Sequence, residues 1–169
     1  MAIRNIRRDG DDILKKKCKP ITEITPSVLG LIDDMVETLR HADALGLAAP
    51  QVGALKRIAV IQDEEDLYEL INPEIKFKDG NQSCNEACLS VPGLSGDIDR
   101  PFKVTITAID RSGKEYELTV DDYLASAFCH EIDHLDGILF TDNAKAVQPI
   151  SDSELQKRKQ AKKKKGKKR

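Results

Sequence analysis

A chain of 169 residues has the length of one ordinary domain and can close a hydrophobic core without disulfide staples. Its net charge of −2 hides a division: ten of the 27 basic residues fall within 156–169, which holds no acid, and the other 17 face 29 acidic residues, about −12 for the body. No apolar run marks an export signal or approaches a membrane span, so the reading excludes a membrane partner and expects a cytoplasmic protein whose four cysteines (Cys18, Cys84, Cys88, Cys129) are free thiols or metal ligands.

Thr25 followed by Pro26 has the form of an N-cap with proline at the first helical position, and Val28, Leu31, Ile32, Met35 and Leu39 then recur at helical spacing, which predicts a helix over about 26–42. ALGLAAPQVG follows as an expected loop, leading into a short β-branched strand at RIAVIQ, 57–62. LYELINP and EIKFKDG read as two further strands, the second ending in a turn at Asp79 and Gly80. In NEACLSVPG, the Pro92–Gly93 pair reads as a turn after Cys88. Residues 102–120 alternate with period two around Asp110–Gly113, a β-hairpin. Asp121 is then placed to cap a helix over about 122–135 that stops at Gly137, and so much of that helix is apolar that it should be buried. Ser151 and Glu154 have capping-box spacing and open a last helix that runs into the lysines. This order predicts an α+β fold: antiparallel sheets wrapped around a buried central helix, plus an N-terminal and a C-terminal helix, with 1–150 as a single catalytic domain and 151–169 as a basic helix or tail.

The predicted buried helix carries CHEIDHLDG, which contains two of the three histidines. A turn takes 3.6 residues, so His130 and His134 share one face and Glu131 lies about 100° round the axis. That is the two-histidine metal motif with a candidate base, and it lacks a third protein ligand. A histidine six residues past the second, as in one peptidase pattern, is ruled out by Phe140. His41 suits the C-terminal end of its helix, Cys129 points away from the histidine face, and Cys18 sits among lysines. Cys88, flanked by small residues, is the strongest candidate. Two alternatives stay open at this level: Glu154 as third ligand of a zinc endopeptidase, or a closed structural zinc site of Cys84, Cys88, His130 and His134 in a ribosome- or RNA-binding module.

GLAAPQ (46–51), EACLS (86–90) and HEIDH (130–134) together resemble the three signature motifs of the peptide deformylase family, in the right order. The likeness extends over roughly residues 3–145, including INPEI and RPFKVTITAIDRSGK. It implies an enzyme that removes the formyl group from the N-terminal formylmethionine of newly made polypeptides. It further implies a metal held by Cys88, His130 and His134, chiefly Fe2+ with Zn2+, Ni2+ or Co2+ as substitutes, and Glu131 as the proton-transferring base. The amide of Gln51 and the backbone N–H of Leu89 would receive the oxyanion. By the same resemblance the nascent chain runs along the backbone of Leu45, Gly46 and Ala87, with Arg100 contacting the peptide or holding Glu86. An apolar pocket for the methionine is expected at Tyr123, Ser126 and Ala127, one turn before His130, with Leu45. The family usually has glycine where this chain has Ala44 and Ala87, which puts access of the substrate backbone in question. The basic tail is expected to dock on an anionic surface such as ribosomal RNA.

Overall fold

The computed structural model describes residues 1–64 and 66–166, with backbone alone over 161–166. Two antiparallel sheets hold the fold. One has five strands in the order β1(Gly46–Ala48), β2(Ile58–Asp63), β3(Asp66–Asp79), β6(Lys103–Ile109), β7(Glu115–Asp121). The other has three, in the order β4(Gln82–Cys88), β5(Val91–Arg100), β8(Ala146–Pro149). Helix α2(Asp122–Leu135) packs against strands of both sheets, and α1(Pro26–His41) covers the opposite face of the larger one. A single turn, α3(Phe140–Asn143), and the C-terminal α4(Asp152–Gly166) complete the chain.

Strand β2 shows why IAVI is apolar throughout. Successive strand residues face opposite ways, so Ile58 and Val60 pack beneath α1 with Ile32, Met35 and Leu39, while Ala59 and Ile61 pack beneath α2 with Phe128, Ile132 and Leu135. Each fully buried large side chain in these layers contributes about 1.5–3 kcal/mol of transfer free energy. A third cluster, Leu14, Val91, Ile98, Leu139 and Phe140, fills the space beside the small sheet.

Most expected elements are present. Thr25 accepts a hydrogen bond from the Val28 amide and Pro26 opens α1. The 102–120 hairpin pairs Lys103 with Asp121 through Ile109 with Glu115. Ser151 and Glu154 exchange capping-box hydrogen bonds at the start of α4.

Five expectations need correction. LYELINP and EIKFKDG form one strand, β3, which continues through Pro73 by bending: Asn72 has φ +51°, the register with β6 slips between Ile71 and Glu74, and the Asn72 amide is tied to the backbone of Ile21 at 2.8 Å in both directions. GLAAPQV is a short strand followed by a 3-10 turn at Ala49–Val52 rather than a plain loop. Pro92 and Gly93 lie inside β5, and the chain reverses earlier, at Leu89 and Ser90. Asp121 occupies the N-cap position of α2 without a side-chain hydrogen bond; the helix entry is held instead by Asp122, which has φ +54° and an amide bonded to the Phe102 carbonyl. The strand β8, absent from the sequence reading, pairs with β5 and delivers the chain into α4. The end of the basic tail, 167–169, lies outside the described residues.

Candidate metal centre and active site

The two sheets leave β1 and β4 as edge strands, and a cleft of about 480 Å³ opens between them. Its walls are the segments 44–46 and 82–89, and its floor is α2 with Tyr123, Ser126, Ala127, His130 and Glu131. Helix periodicity places His130 and His134 on one face, where their Nε2 atoms approach to 3.2 Å. The end of β4 brings the Cys88 Sγ to 3.3 Å from His134 Nε2. Among the described residues this is the one cluster of three or more potential metal-ligating side chains, its donor atoms all within 4.8 Å of one another.

The donor set fits a metal ion. Three electron-pair donors converge on one point, and one thiol with two imidazoles suits divalent zinc or iron, with one position open for water. His130 is oriented from behind, its Nδ1 2.8 Å from Glu86 Oε2, which leaves Nε2 to face the cluster. Burial holds His134 well below the ordinary imidazole range, which keeps it neutral.

Glu86 is itself fixed by charge. Arg100 donates from Nε and an Nη to its two oxygens at 2.7 and 2.9 Å, and Ser126 Oγ donates at 2.9 Å. Burial alone would raise this carboxyl; hydrogen bonds with His130 and Arg100 outweigh it and bring the pKa down to about 2. The contribution of these bonds to folding is therefore complete above the ordinary carboxylate range and is lost as pH falls towards 2. Arg100 also reaches Asp133 at 2.6 Å and is only 7% exposed. It lies outside the cleft-lining residues and clamps Glu86, the second of the two roles expected of it.

Gln51, 1% exposed, is no surface loop residue. Its Oε1 accepts from the Ala48 amide at 2.9 Å, and its Nε2 points to Ser90 Oγ at 3.2 Å and to Cys88 Sγ at 3.4 Å. The amide is thereby held beside the Cys88–His130–His134 cluster, at the lining of the cleft. Leu89 lines the same corner. Ala44 and Ala87 both line the cleft without a left-handed backbone, so their methyl groups are carried without strain. Leu45, Gly46, Tyr123, Ser126 and Ala127 line it too, although the Tyr123 hydroxyl donates to Asp63 at 2.7 Å and Ser126 is engaged with Glu86.

Glu131 is 5% exposed, and no hydrogen bond to its Oε2 is found among the described residues. Burial pushes its carboxyl up to about 7, where it can gain and lose a proton near neutrality. Its side chain lies against Gly46: a Cβ there would sit 2.7 Å from Cδ and 2.8 Å from Cγ of Glu131. Gly46→Ala is accordingly expected to turn the carboxylate aside and lower kcat by on the order of tenfold or more, with metal content unchanged, as read by paired rate and metal assays. An unchanged kcat would mean that the carboxylate has room to shift without consequence.

Glu154 and Cys84 stand apart from the cluster. Glu154 bonds Ser151 at the start of α4, and Cys84 lies four residues up the strand from Cys88, outside the three-donor group. Sequence reasoning passed over Ser90, which orients Gln51; Asp133, which shares Arg100; and Arg158, which reaches the cleft from α4. Ser90 and Asp133 were visible inside EACLS and HEIDH as residues without a role, whereas nothing in the sequence ties Arg158 to β4.

Fold and site together have the form of a metal-dependent hydrolase, with two imidazoles on a helical HExxH segment and a thiol on a neighbouring strand grouped where they could hold one ion. The family model for polypeptide deformylase matches residues 3–149. The peptide deformylase of Thermoanaerobacter pseudethanolicus is 49% identical over 154 residues, 91% of this chain and 96% of that one, and that of Acetivibrio thermocellus 48% over 162 residues, 96% and 94%. The crystal structure of peptide deformylase from Thermotoga maritima aligns with TM-score 0.84 at 35% identity over 86% of this chain and all of that one. That from Synechococcus elongatus, in complex with actinonin, aligns with TM-score 0.82 at 36% identity over 96% and 86%. The chain belongs to the polypeptide deformylase family.

Proposed function

We propose that the protein hydrolyses the N-formyl group of N-terminal formylmethionine on newly synthesised polypeptides and releases formate. The observation that carries this reading is the convergence of Cys88, His130 and His134 beside the buried carboxyl of Glu131, at the head of a cleft between two unpaired strand edges. A divalent ion held by those three side chains would supply Lewis acidity, activating water and polarising the formyl carbonyl. Family resemblance favours Fe2+, one per chain, with Zn2+, Ni2+ or Co2+ as substitutes.

Glu131 takes the proton of the attacking water and delivers it to the departing amine, a shuttle suited to a carboxyl that titrates near neutrality. The Gln51 Nε2 and the Leu89 amide stabilise the oxyanion as it forms; each such donor is worth on the order of a hundredfold in rate or more. The peptide lies extended and bonds the backbone of Leu45, Gly46 and Ala87 as an added strand. Its methionine enters the recess by Tyr123, Ser126 and Ala127. Formate release from a formyl-methionyl peptide by protein purified without oxygen, with bound metals quantified, tests the reading; absence of formate with a full complement of metal would reject it.

Residues 1–150 form the catalytic unit in this reading, and 151–169 a basic extension that docks the enzyme electrostatically on ribosomal RNA or protein, in the cytoplasm. The charge contrast between tail and body supports this. Truncation after Leu155 is expected to abolish co-sedimentation with ribosomes at low salt; sedimentation equal to that of the full chain would refute the docking role. Among the described residues no helix is long and apolar enough to cross a membrane.

A further inference from the structure

Among the described residues, α4 contributes one side chain to the cleft wall. Arg158 lines the cleft, half-buried, and donates from an Nη to Asn85 Oδ1 at 3.2 Å. Asn85 is in turn held by its Nδ2 donating to Asp97 Oδ1 at 2.8 Å, so the acceptor that positions the guanidinium is itself fixed. The helix is anchored at its start: β8 pairs with β5, the Ile150 amide bonds the Gly93 carbonyl at 2.9 Å, and the Ser151–Glu154 box closes the first turn. A guanidinium has five N–H donors, and the one hydrogen bond found for it among the described residues engages a single nitrogen, which leaves donors for a ligand in the cleft it lines. Apart from the imidazole of His130, Arg158 is the one basic side chain among the described cleft-lining residues; Glu86, Glu131 and Asp122 are the acids.

The position along the strand matters more than the charge alone. Asn85 lies three residues from Cys88 on β4, and strands rise about 3.3 Å per residue, so Arg158 meets the cleft roughly 10 Å from the metal cluster. An extended peptide with its formyl group at the cluster puts its second or third residue there. We propose that Arg158 is a specificity-determining residue that favours formylated chains carrying a carboxylate side chain at the second or third position. The inference rests on the deformylase reading above and deepens it.

The test uses the full-length, metal-loaded enzyme and formyl-methionyl tripeptide amides with Glu or Lys at the second or third position. The ratio of kcat/KM for Glu over Lys at the better of the two positions is expected to be about fivefold, the upper range for a partly exposed ion pair, and to decay at high salt. Arg158→Ala should bring the ratio to about one, and Arg158→Glu should invert it, through KM rather than kcat. Because the ratio is internal to each protein, a general loss of activity does not mimic the effect. Lys76→Ala, which removes an exposed positive charge remote from the cleft, should keep the wild-type ratio. An equal ratio in wild type and Arg158→Ala, or an equal drop in Lys76→Ala, overturns the proposal while leaving the deformylase reading intact. Failure of every peptide to yield formate overturns both.

Discussion

Glu131→Gln is expected to lower kcat for formate release by about 10²–10⁴ while the protein keeps its metal and its fold. Glutamine matches glutamate in shape, so the packing against Gly46 survives, but an amide cannot accept the proton of an attacking water. The structure gives the carboxylate little else to do: its Oε2 has no hydrogen-bond partner among the described residues, and it lies within an apolar helix where a charge is costly. Burial pushes the carboxyl to about 7, which suits the proposed role of acid and base near neutrality. Metal per chain and thermal midpoint should match wild type. A variant within tenfold of wild-type kcat would show that the proton moves by another route.

Cys88→Ala is expected to strip the metal, with an affinity loss of at least about 10²-fold, beyond the 10- to 100-fold typical when a residue that merely orients a ligand is lost. Activity should disappear with the metal. Two imidazoles alone make a poor site, and the thiol 3.3 Å from His134 Nε2 is the third donor the geometry offers. Cys84→Ala, outside the three-donor group, should retain full metal, as should Glu154→Ala, whose carboxylate serves the cap of α4. Metal analysis of the three purified variants decides among them, and retention of metal by Cys88→Ala would remove the basis of the site.

What could be read in advance was whatever depends on near neighbours. The helix from Pro26 was legible because its cap, its proline and its apolar stripe lie within sixteen residues. His130 and His134 were legible because helical periodicity fixes their relation. Strands β4 and β5 were not, since NQSCNEAC and VPGLSGDIDR contain few β-branched residues and several turn-formers; they are strands because each pairs with the other and β5 also with β8. The continuity of β3 through Pro73 depends on Asn72 finding Ile21, 51 residues away. The same holds in the site. Arg100 could be placed near Glu86 by resemblance, yet its burial and its second partner Asp133 come from elements 33 residues apart. Gln51 looked like a loop residue because its partners, Cys88 and Ser90, sit 37 and 39 positions downstream.

Strands β1 and β4 each end their sheet, with one side facing the groove and no strand paired to it among the described residues. A slot walled by two such ladders admits a single thread and refuses a helix or an already folded terminus, whose main-chain groups are spoken for. On the binding mode proposed above, timing follows from shape: a client must be met early, before its leading end has collapsed into structure of its own, and a terminus that folds first escapes with its cap in place.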